Sequence, residues 1–182
     1  MADTTAPLTG KRVAFLLTRG VEQIELTNPR AALDEAGATT VIVSPSQDTL
    51  QAMEGDWTHA DTFDVDVPVD QASADDYDAL VVPGGTLNAD ALRTNDAAVA
   101  LVKAFFDAGK TVASICHGPW ILAEAGVADG RRLTSYTSTK VDLANAGAQW
   151  VDEEVVVDGS LITSRHPGDL EAFNAAIREA LA

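Results

Sequence analysis

The sequence contains a single cysteine, Cys116, and this scarcity excludes several kinds of site. One thiol cannot form an intrachain disulfide, and it cannot supply a multi-thiolate zinc or iron–sulfur centre. The three histidines, His59, His117 and His166, show no metal-ligand spacing. We therefore expect no metal site in this chain.

Basic residues are also scarce, because 12 Lys and Arg stand against 28 Asp and Glu, for a formal net charge of -16. This balance excludes electrostatic attraction to nucleic acid or to an anionic membrane surface. The acidic residues are dispersed rather than gathered in a tail, which suits a halophilic cytoplasm where salt screens their repulsion. No apolar run approaches the ~20 residues that span a bilayer, and no signal-peptide pattern opens the chain. We expect a soluble, cytoplasmic protein.

Short apolar runs alternate with amphipathic segments along most of the chain. Residues 1–10 are small and polar and are predicted to form a flexible tail, and residues 11–182 a single domain. The apolar runs predict buried strands over residues 12–18, 40–44, 79–82 and 112–115. Residues 45–71 show an alternation typical of an exposed edge strand or hairpin, and residues 154–164 predict a second hairpin.

Helix start signals lie between these runs: Asn28 as a cap before Pro29, Asp96, the segment after Cys116, and Asp169. Strands that alternate with helices pair in parallel and are covered on both faces. The sequence therefore predicts an α/β fold, a flavodoxin-like three-layer α/β/α sandwich with a mostly parallel sheet.

Cys116 stands where a predicted buried strand turns into a helix. The β-prone run Val112–Ile115 leads into it, His117 follows at once, and Gly118-Pro119 opens a segment that Gly126 closes. Serine hydrolases hold their nucleophile on the same kind of strand-to-helix turn, a nucleophile elbow. A helix N-terminus beside the sulfur would favour the thiolate over the thiol. The alternative is that Cys116 is a small hydrophobic residue at the end of a buried strand.

Two other strand ends are predicted to lie beside Cys116, because sites in such sheets form at the carboxyl ends of strands. Backbone N–H groups at Gly84-Gly85 and after Cys116 are candidates for an oxyanion hole, and His117 is a candidate base. Glu25 could hold a proton next to the sulfur. The alternatives are an ordinary turn at Gly84-Gly85 and a solvated charge at Glu25.

Four motifs resemble those of the ThiJ/PfpI family, within the class I glutamine amidotransferase-like superfamily. They are Gly20-Val-Glu22-Gln-Ile-Glu25-Leu, Val-Pro83-Gly84-Gly85, Ala-Ser-Ile-Cys116-His117-Gly-Pro-Trp and Thr-Ser164-Arg165-His-Pro-Gly-Asp169-Leu. The resemblance covers nearly the whole chain after residue 10. It implies that Cys116 is the nucleophile, that Glu25 is the acid beside the sulfur, and that His117 is the histidine partner. It also implies an oxyanion hole formed by backbone groups of Gly85 and His117.

In PfpI-type proteins the neighbouring subunit contributes the acid of the triad, from a position shortly after the Pro-Gly-Gly turn. Asp90 stands nearest that position here, with aspartate in place of the more familiar glutamate. The resemblance therefore implies a homodimer or homohexamer with an intersubunit active site. It implies no cofactor.

Three further residues are candidates for the wall of the pocket. Trp120 begins the helix after the nucleophile, and a core role is the alternative. Glu22 shares its turn with Glu25. His166-Pro167 is similar to the late His-Pro-Glu segment of glutamine amidotransferases but lacks its Glu, so the alternative for His166 is a surface turn before the last helix.

The resemblance implies a cysteine-dependent enzyme of stress protection that acts on a small carbonyl or peptide substrate. Family members include intracellular cysteine proteases, deglycases that remove methylglyoxal adducts, and glyoxalases, and their shared residues do not separate these activities. A non-enzymatic redox sensor or holdase chaperone that uses Cys116 oxidation is the main alternative. An amidotransferase subunit is a further one.

Overall fold

The computed structural model describes residues 7–182, so residues 1–6 of the predicted tail lie outside the described residues. The strands are β1 (Arg12–Leu16), β2 (Thr39–Ser44), β3 (Thr49–Glu54), β4 (Thr58–Asp64), β5 (Val67–Pro68), β6 (Ala79–Val82), β7 (Thr111–Ile115), β8 (Arg132–Leu133), β9 (Gln149–Trp150), β10 (Val155–Asp158) and β11 (Leu161–Ser164). The α-helices are α1 (Gln23–Glu35), α2 (Thr86–Arg93), α3 (Asp96–Asp107), α4 (Ile121–Glu124), α5 (Lys140–Asn145) and α6 (Leu170–Leu181).

A seven-stranded sheet in the order β10-β11-β7-β6-β1-β2-β5 forms the middle layer. All neighbours in it pair in parallel except β10, which pairs antiparallel with β11. The hairpin β3–β4 forms a separate two-stranded sheet, as does the pair β8–β9. Because the central strands β1, β6 and β7 run in the same direction, their carboxyl ends meet at one edge.

Helices cover the sheet on both faces, and each face has its own aliphatic core. On one face, α1, α6 and the hairpin β3–β4 share a core with the sheet that includes Phe15, Ile115 and Phe173. On the other face, α2 to α5 share a second core with the sheet that includes Leu80 and Phe105. This arrangement confirms the predicted flavodoxin-like three-layer sandwich. Within residues 7–182, no helix is both long enough and apolar enough to cross a bilayer.

Helix α1 begins earlier than the sequence predicted. It starts at Gln23, so Pro29 lies inside it, although proline cannot donate the hydrogen bond that the carbonyl of Glu25 would accept. Asn28 does not act as a cap, because its side-chain oxygen instead accepts a 2.7 Å hydrogen bond from Asn174 on α6. The early start places Glu25 and Leu26 on the buried face of the helix.

Other boundaries shift by smaller amounts. The cap of α3 is Asn95 rather than Asp96, since its side chain accepts from the N–H of Ala98 at 2.9 Å. The predicted helix after Cys116 is a 3-10 turn over Gly118–Trp120 that continues into the short α4. Residues 45–71 contain both predicted forms, the hairpin β3–β4 and the edge strand β5.

Part of the predicted tail is packed against the domain. Leu8 is 0% exposed and belongs to the core under α1. Its N–H donates to the carbonyl of Ala36 at 2.9 Å, and its carbonyl accepts from the N–H of Lys11 at 3.0 Å. Isolated leucines in a polar sequence give little periodic signal, so the sequence did not distinguish Leu8 from its exposed neighbours.

We predict that Leu8→Ala lowers the free energy of unfolding by about 2–5 kcal/mol, because it removes a fully buried side chain and leaves a cavity. Urea unfolding followed by circular dichroism measures the change. The control is Val141→Ala on α5, where the side chain is exposed, and we expect it to change the free energy by less than about 0.5 kcal/mol. Equal effects of the two substitutions would mean that Leu8 belongs to a tail after all.

Candidate active site

Cys116 lies at a strained turn directly after β7. Its φ angle is +62°, and among residues 7–182 only one other non-glycine residue, Asp56, has a positive φ. The neighbouring backbone holds this conformation: the N–H of Cys116 donates to Ser164 at 3.1 Å, and its carbonyl accepts from Tyr136 at 2.7 Å. A non-glycine residue keeps such a conformation only where the surrounding structure enforces it. The turn therefore has the geometry of the predicted nucleophile elbow.

Gly84, two residues after the end of β6, allows two side chains to approach each other beside the turn. A Cβ atom at this position would lie 2.5 Å from Oε2 of Glu25 and 2.7 Å from Cβ of Cys116. Gly85 has a φ of +89°, and a Cβ there would lie 2.2 Å from the carbonyl oxygen of Gly20. Close packing therefore requires glycine at both positions.

Glu25 is 0% exposed, so it is not the solvated charge that the sequence left as an alternative. Its Oε2 accepts a 2.7 Å hydrogen bond from the N–H of Gly84, and Oε1 has no hydrogen-bond partner among the described residues. Burial raises the pKa of this carboxyl to about 8, with hydrogen bonds from Gly84 and Cys116 opposing the rise. Near neutral pH the carboxyl is therefore protonated, and its proton belongs on the free oxygen Oε1.

The thiol of Cys116 is also protonated in the resting protein. Burial is the largest cause, and it raises the pKa of the thiol. An ionised Glu25 raises this pKa further, but only above the pH at which Glu25 loses its proton. The helix that was expected to favour the thiolate is short, a 3-10 turn followed by the four-residue α4, and its effect on the thiol stays a prediction. A thiolate at this position has to form by proton transfer to a base.

His117 is that candidate base. Its Nδ1 lies 3.1 Å from Sγ of Cys116, and its ring stacks on Tyr136 with 4.6 Å between the ring centroids. Burial lowers the pKa of His117, while the charge of Asp56 raises it. The imidazole is thus neutral near pH 7 and able to accept the thiol proton.

The predicted oxyanion hole needs one correction. The backbone N–H groups of Gly85 and His117 are close enough to the sulfur of Cys116 to lower its pKa against the effect of burial, and they stay the candidates for the oxyanion hole. The N–H of Gly84 is not available for this role, because Oε2 of Glu25 already accepts from it.

These groups open onto a cavity of about 480 Å³. Its wall is formed by Glu22, Glu25, Gly55, Asp56, Gly85, Thr86, Cys116, His117, Tyr136, Ser138 and Pro167. Cys116 itself is only 6% exposed. Within residues 7–182, no three His, Cys, Asp or Glu side chains are grouped in a way that could hold a metal ion.

Of the three predicted wall residues, only Glu22 lines this cavity. Trp120 points elsewhere: its Nε1 donates to Asp142 at 2.8 Å and its ring lies under the guanidinium of Arg93. The side chain of His166 is 45% exposed, and its Nδ1 accepts from the N–H of Gly168 at 3.2 Å. His166 is therefore part of the surface turn before α6, as the alternative had it.

Asp90 does not reach His117 within one chain. It lies on α2 with a side chain that is 65% exposed and 3.9 Å from Arg93, and it lines a separate cavity with Arg19 and His59. Its predicted role across a subunit interface stays a prediction.

The sequence missed three polar residues around His117. Ser138 Oγ lies 3.0 Å from Nε2 of the imidazole, and Thr86 Oγ1 lies 3.4 Å from it. Asp56, at the tip of the hairpin β3–β4, accepts hydrogen bonds from Thr86. Of the three, only Asp56 carried a signal in the sequence, the Gly55-Asp56 pair typical of a tight hairpin turn.

Fold and site together define a flavodoxin-like α/β protein with a cysteine on a nucleophile elbow. Residues 11–180 match the DJ-1/PfpI family. The deglycase TK1284 of Thermococcus kodakarensis is 43% identical over 89% of this chain and 94% of its own. General stress protein 18 of Bacillus subtilis is 44% identical over 95% of this chain and 97% of its own. The chain belongs to the DJ-1/PfpI family.

Solved structures agree with this assignment. Drosophila melanogaster DJ-1beta superimposes with a TM-score of 0.85 at 32% identity, over 94% of this chain and 90% of that one. A protein of Anabaena variabilis with DJ-1/ThiJ/PfpI-like and ferritin-like domains gives a TM-score of 0.88 at 37% identity over 94% of this chain. The present chain spans 48% of that two-domain protein.

We predict that Glu25→Gln removes a pH-dependent loss of stability. The pKa of Glu25 rises from 4.5 to about 8 on folding, so the folded state binds a proton that the unfolded state releases between these values. The stability of the wild type should therefore fall, relative to Glu25→Gln, by about 4 kcal/mol between pH 5 and pH 8. Chemical unfolding at a series of pH values measures the difference.

Glu35→Gln is the control, because Glu35 lies on the same helix α1 with its side chain in solvent. Its stability should follow the wild type across this pH range. Parallel curves for the wild type and Glu25→Gln would show that the carboxyl is not held neutral by burial.

Proposed function

We propose that this protein is a cysteine-dependent hydrolase that acts on methylglyoxal-type carbonyls and their adducts. The observation that carries the proposal is the 3.1 Å approach of the Cys116 thiol to Nδ1 of His117, on a turn with φ of +62° beside a buried carboxyl. The name deglycase of the relative TK1284, at 43% identity, supports the same class of substrate.

In the proposed reaction, the thiol proton moves from Sγ to Nδ1 of His117 and the thiolate adds to the aldehyde-level carbon. The resulting oxyanion accepts the N–H groups of Gly85 and His117. With a free aldehyde, the oxyanion then takes the proton from His117. In a protein adduct the carbon is already tetrahedral, so the thiolate displaces the amine or thiol of the protein, which leaves with the proton from His117. A substrate carbon is then bonded to Sγ, and the target side chain is free.

The second half of the reaction needs no external oxidant. The carbon bonded to sulfur is oxidised to a thioester while the adjacent ketone carbon is reduced to an alcohol, so the electrons stay within the substrate. Glu25, neutral near pH 7, can give its proton to the ketone oxygen and, as a carboxylate, take the proton from the carbon bonded to sulfur. A second pair of transfers, to the former ketone carbon and from the hydroxyl on the carbon bonded to sulfur, completes the isomerisation. Water then hydrolyses the thioester, which yields lactate and the free thiol.

The size of the site favours small substrates. A cavity of about 480 Å³ is within the range for a small molecule or one modified side chain. Cys116 lines this cavity and is only 6% exposed, which favours a small reactive carbon over the backbone of a folded protein. We therefore favour a deglycase or glyoxalase reaction over general proteolysis.

The two alternative functions have less support. A peroxide sensor reacts through the same thiolate as the proposed enzyme, so the residues of the site do not favour it, and the deglycase name of the relative TK1284 favours the enzyme. An amidotransferase of the related superfamily would need His166 at the sulfur, and His166 lies in an exposed turn that does not line the cavity.

Assembly into a homodimer or homohexamer forms part of the proposal. Trp57 and Leu87 are large apolar side chains that are exposed in the single chain, and Leu87 lines the same cavity as Asp90. Burial of such side chains is a common driving force of association. Light scattering in solution measures the assembly.

We predict that Cys116→Ala abolishes lactate release from methylglyoxal and from methylglyoxal-modified peptides, because no thiolate can form. His117→Gln should lower kcat by about 10²–10⁴-fold, the usual contribution of a general base. Enzymatic lactate assays and mass spectrometry of the peptide measure product and adduct.

His166→Gln is the matched control, since it makes the same substitution at an exposed histidine outside the cavity, and we expect wild-type activity. Lactate release that is equal in the wild type and Cys116→Ala would end the proposal of an enzyme. Cleavage of unmodified peptides without lactate release would favour a peptidase instead.

A further inference from the structure

Asp56 is held in place at the tip of the hairpin β3–β4. Gly55 and Asp56 have φ angles of +60° and +65°, which are the left-handed values of a tight hairpin turn. The carboxylate of Glu22 accepts the N–H of Gly55 at 2.9 Å, so the tip is fastened to the start of α1. Asp56 thereby reaches the cavity from an element that does not belong to the central sheet.

Asp56 accepts two hydrogen bonds from one residue. Its Oδ1 accepts from the N–H of Thr86 at 2.8 Å, and its Oδ2 accepts from the hydroxyl of Thr86 at 2.6 Å. A carboxylate only accepts, and a hydroxyl has a single proton. The proton of the Thr86 hydroxyl is thus committed to Asp56, and toward any other group this oxygen can only accept.

The other group at Thr86 Oγ1 is His117, whose Nε2 lies 3.4 Å away. An accepting oxygen at this position requires a proton on Nε2, since two facing lone pairs would repel. Ser138 Oγ, 3.0 Å from the same nitrogen, can accept that proton as well. With the proton on Nε2, the lone pair of neutral His117 is on Nδ1, 3.1 Å from the thiol.

We propose that Asp56 is a positioning residue that acts through Thr86 to hold His117 in the tautomer that can accept the proton of Cys116. In hydrolytic triads a carboxylate bonded directly to the histidine has this role. Here a threonine hydroxyl lies between the two groups, and all four residues belong to one chain. The catalytic meaning of this arrangement rests on the proposed function, but the tautomer itself does not.

The same arrangement supports the charged state that follows. After the thiol proton moves to Nδ1, His117 is an imidazolium with an Nε2 proton that Thr86 accepts. Five other ionisable residues line the cavity around it, namely Glu22, Glu25, Asp56, Cys116 and Tyr136. The charge of Asp56 raises the pKa of His117 against the effect of burial. Removal of that charge should make His117 a weaker base.

The test observes the tautomer by NMR of protein labelled with ¹⁵N in histidine, since protonated and unprotonated ring nitrogens have well-separated shifts. Spectra of His59→Gln and His166→Gln assign the signals of His117. In the wild type we expect a protonated Nε2 and an unprotonated Nδ1. Asp56→Asn can turn its NH₂ group toward Thr86 Oγ1 and release the hydroxyl proton toward His117, so the two shifts should move toward the opposite tautomer.

Thr86→Val and Thr86→Ser form a matched pair that does not depend on the folding of Asp56→Asn. Valine removes the hydroxyl and should release the tautomer, whereas serine keeps the hydroxyl and should restore it. Alkylation of Cys116 by iodoacetamide at pH 7 should slow by about tenfold in Asp56→Asn and Thr86→Val, the effect of one pKa unit in the base, and should stay at the wild-type rate in Thr86→Ser.

Wild-type shifts with the proton on Nδ1, or shifts unchanged in both Asp56→Asn and Thr86→Val, would overturn the proposal. If the His117 shifts change in Asp90→Asn but not in Asp56→Asn, the proposal is also overturned, and the acid that orients His117 comes from a second subunit. Because neither readout involves lactate, a confirmed tautomer effect in a protein without lactate release would separate this inference from the proposed function.

Discussion

The site depends on one close approach, that of the Glu25 carboxyl and the Cys116 side chain over the bare Cα of Gly84. A side chain at residue 84 would overlap both groups, with contacts of 2.5 and 2.7 Å. The three residues come from a helix, a strand end and a turn that are far apart in the sequence, and the parallel central strands bring them to one edge. The positive φ of Cys116 and the early start of α1 both serve to complete this approach.

Burial determines the protonation states of the groups that meet at this point. An acid and a thiol in such surroundings are both more stable in their neutral forms, and His117 is likewise neutral because burial lowers its pKa. In the resting site Glu25 and Cys116 are therefore protonated, and His117 is neutral and able to accept a proton. These three groups become charged only when a proton moves, close to the N–H groups of Gly85 and His117.

The fold could be predicted because its signals are local. Short aliphatic runs buried on both faces identified the central strands, and the Cys116 elbow was visible in a few adjacent residues. The start of α1 was missed because Pro29 resembles a first helical residue, whereas the burial of Glu25 and Leu26 decided the outcome.

The missed parts of the site depend on contacts between distant segments. Nothing adjacent to Asp56 in the sequence refers to Thr86, and their hydrogen bonds exist only because the hairpin folds over the sheet edge. Whether the N–H of Gly84 is free likewise depends on Glu25, which accepts from it and is remote in the sequence. Residue types and order suggested an oxyanion hole, but only the three-dimensional contacts showed which N–H groups were free.

The hairpin β3–β4 is a two-stranded unit outside the main sheet, and its tip contacts the site through Gly55 and Asp56. Substitutions in its turn can therefore alter the reactivity of the cysteine while the scaffold stays intact. Homologues with the same sheet and the same cysteine can therefore differ in chemistry through the sequence of this hairpin turn alone.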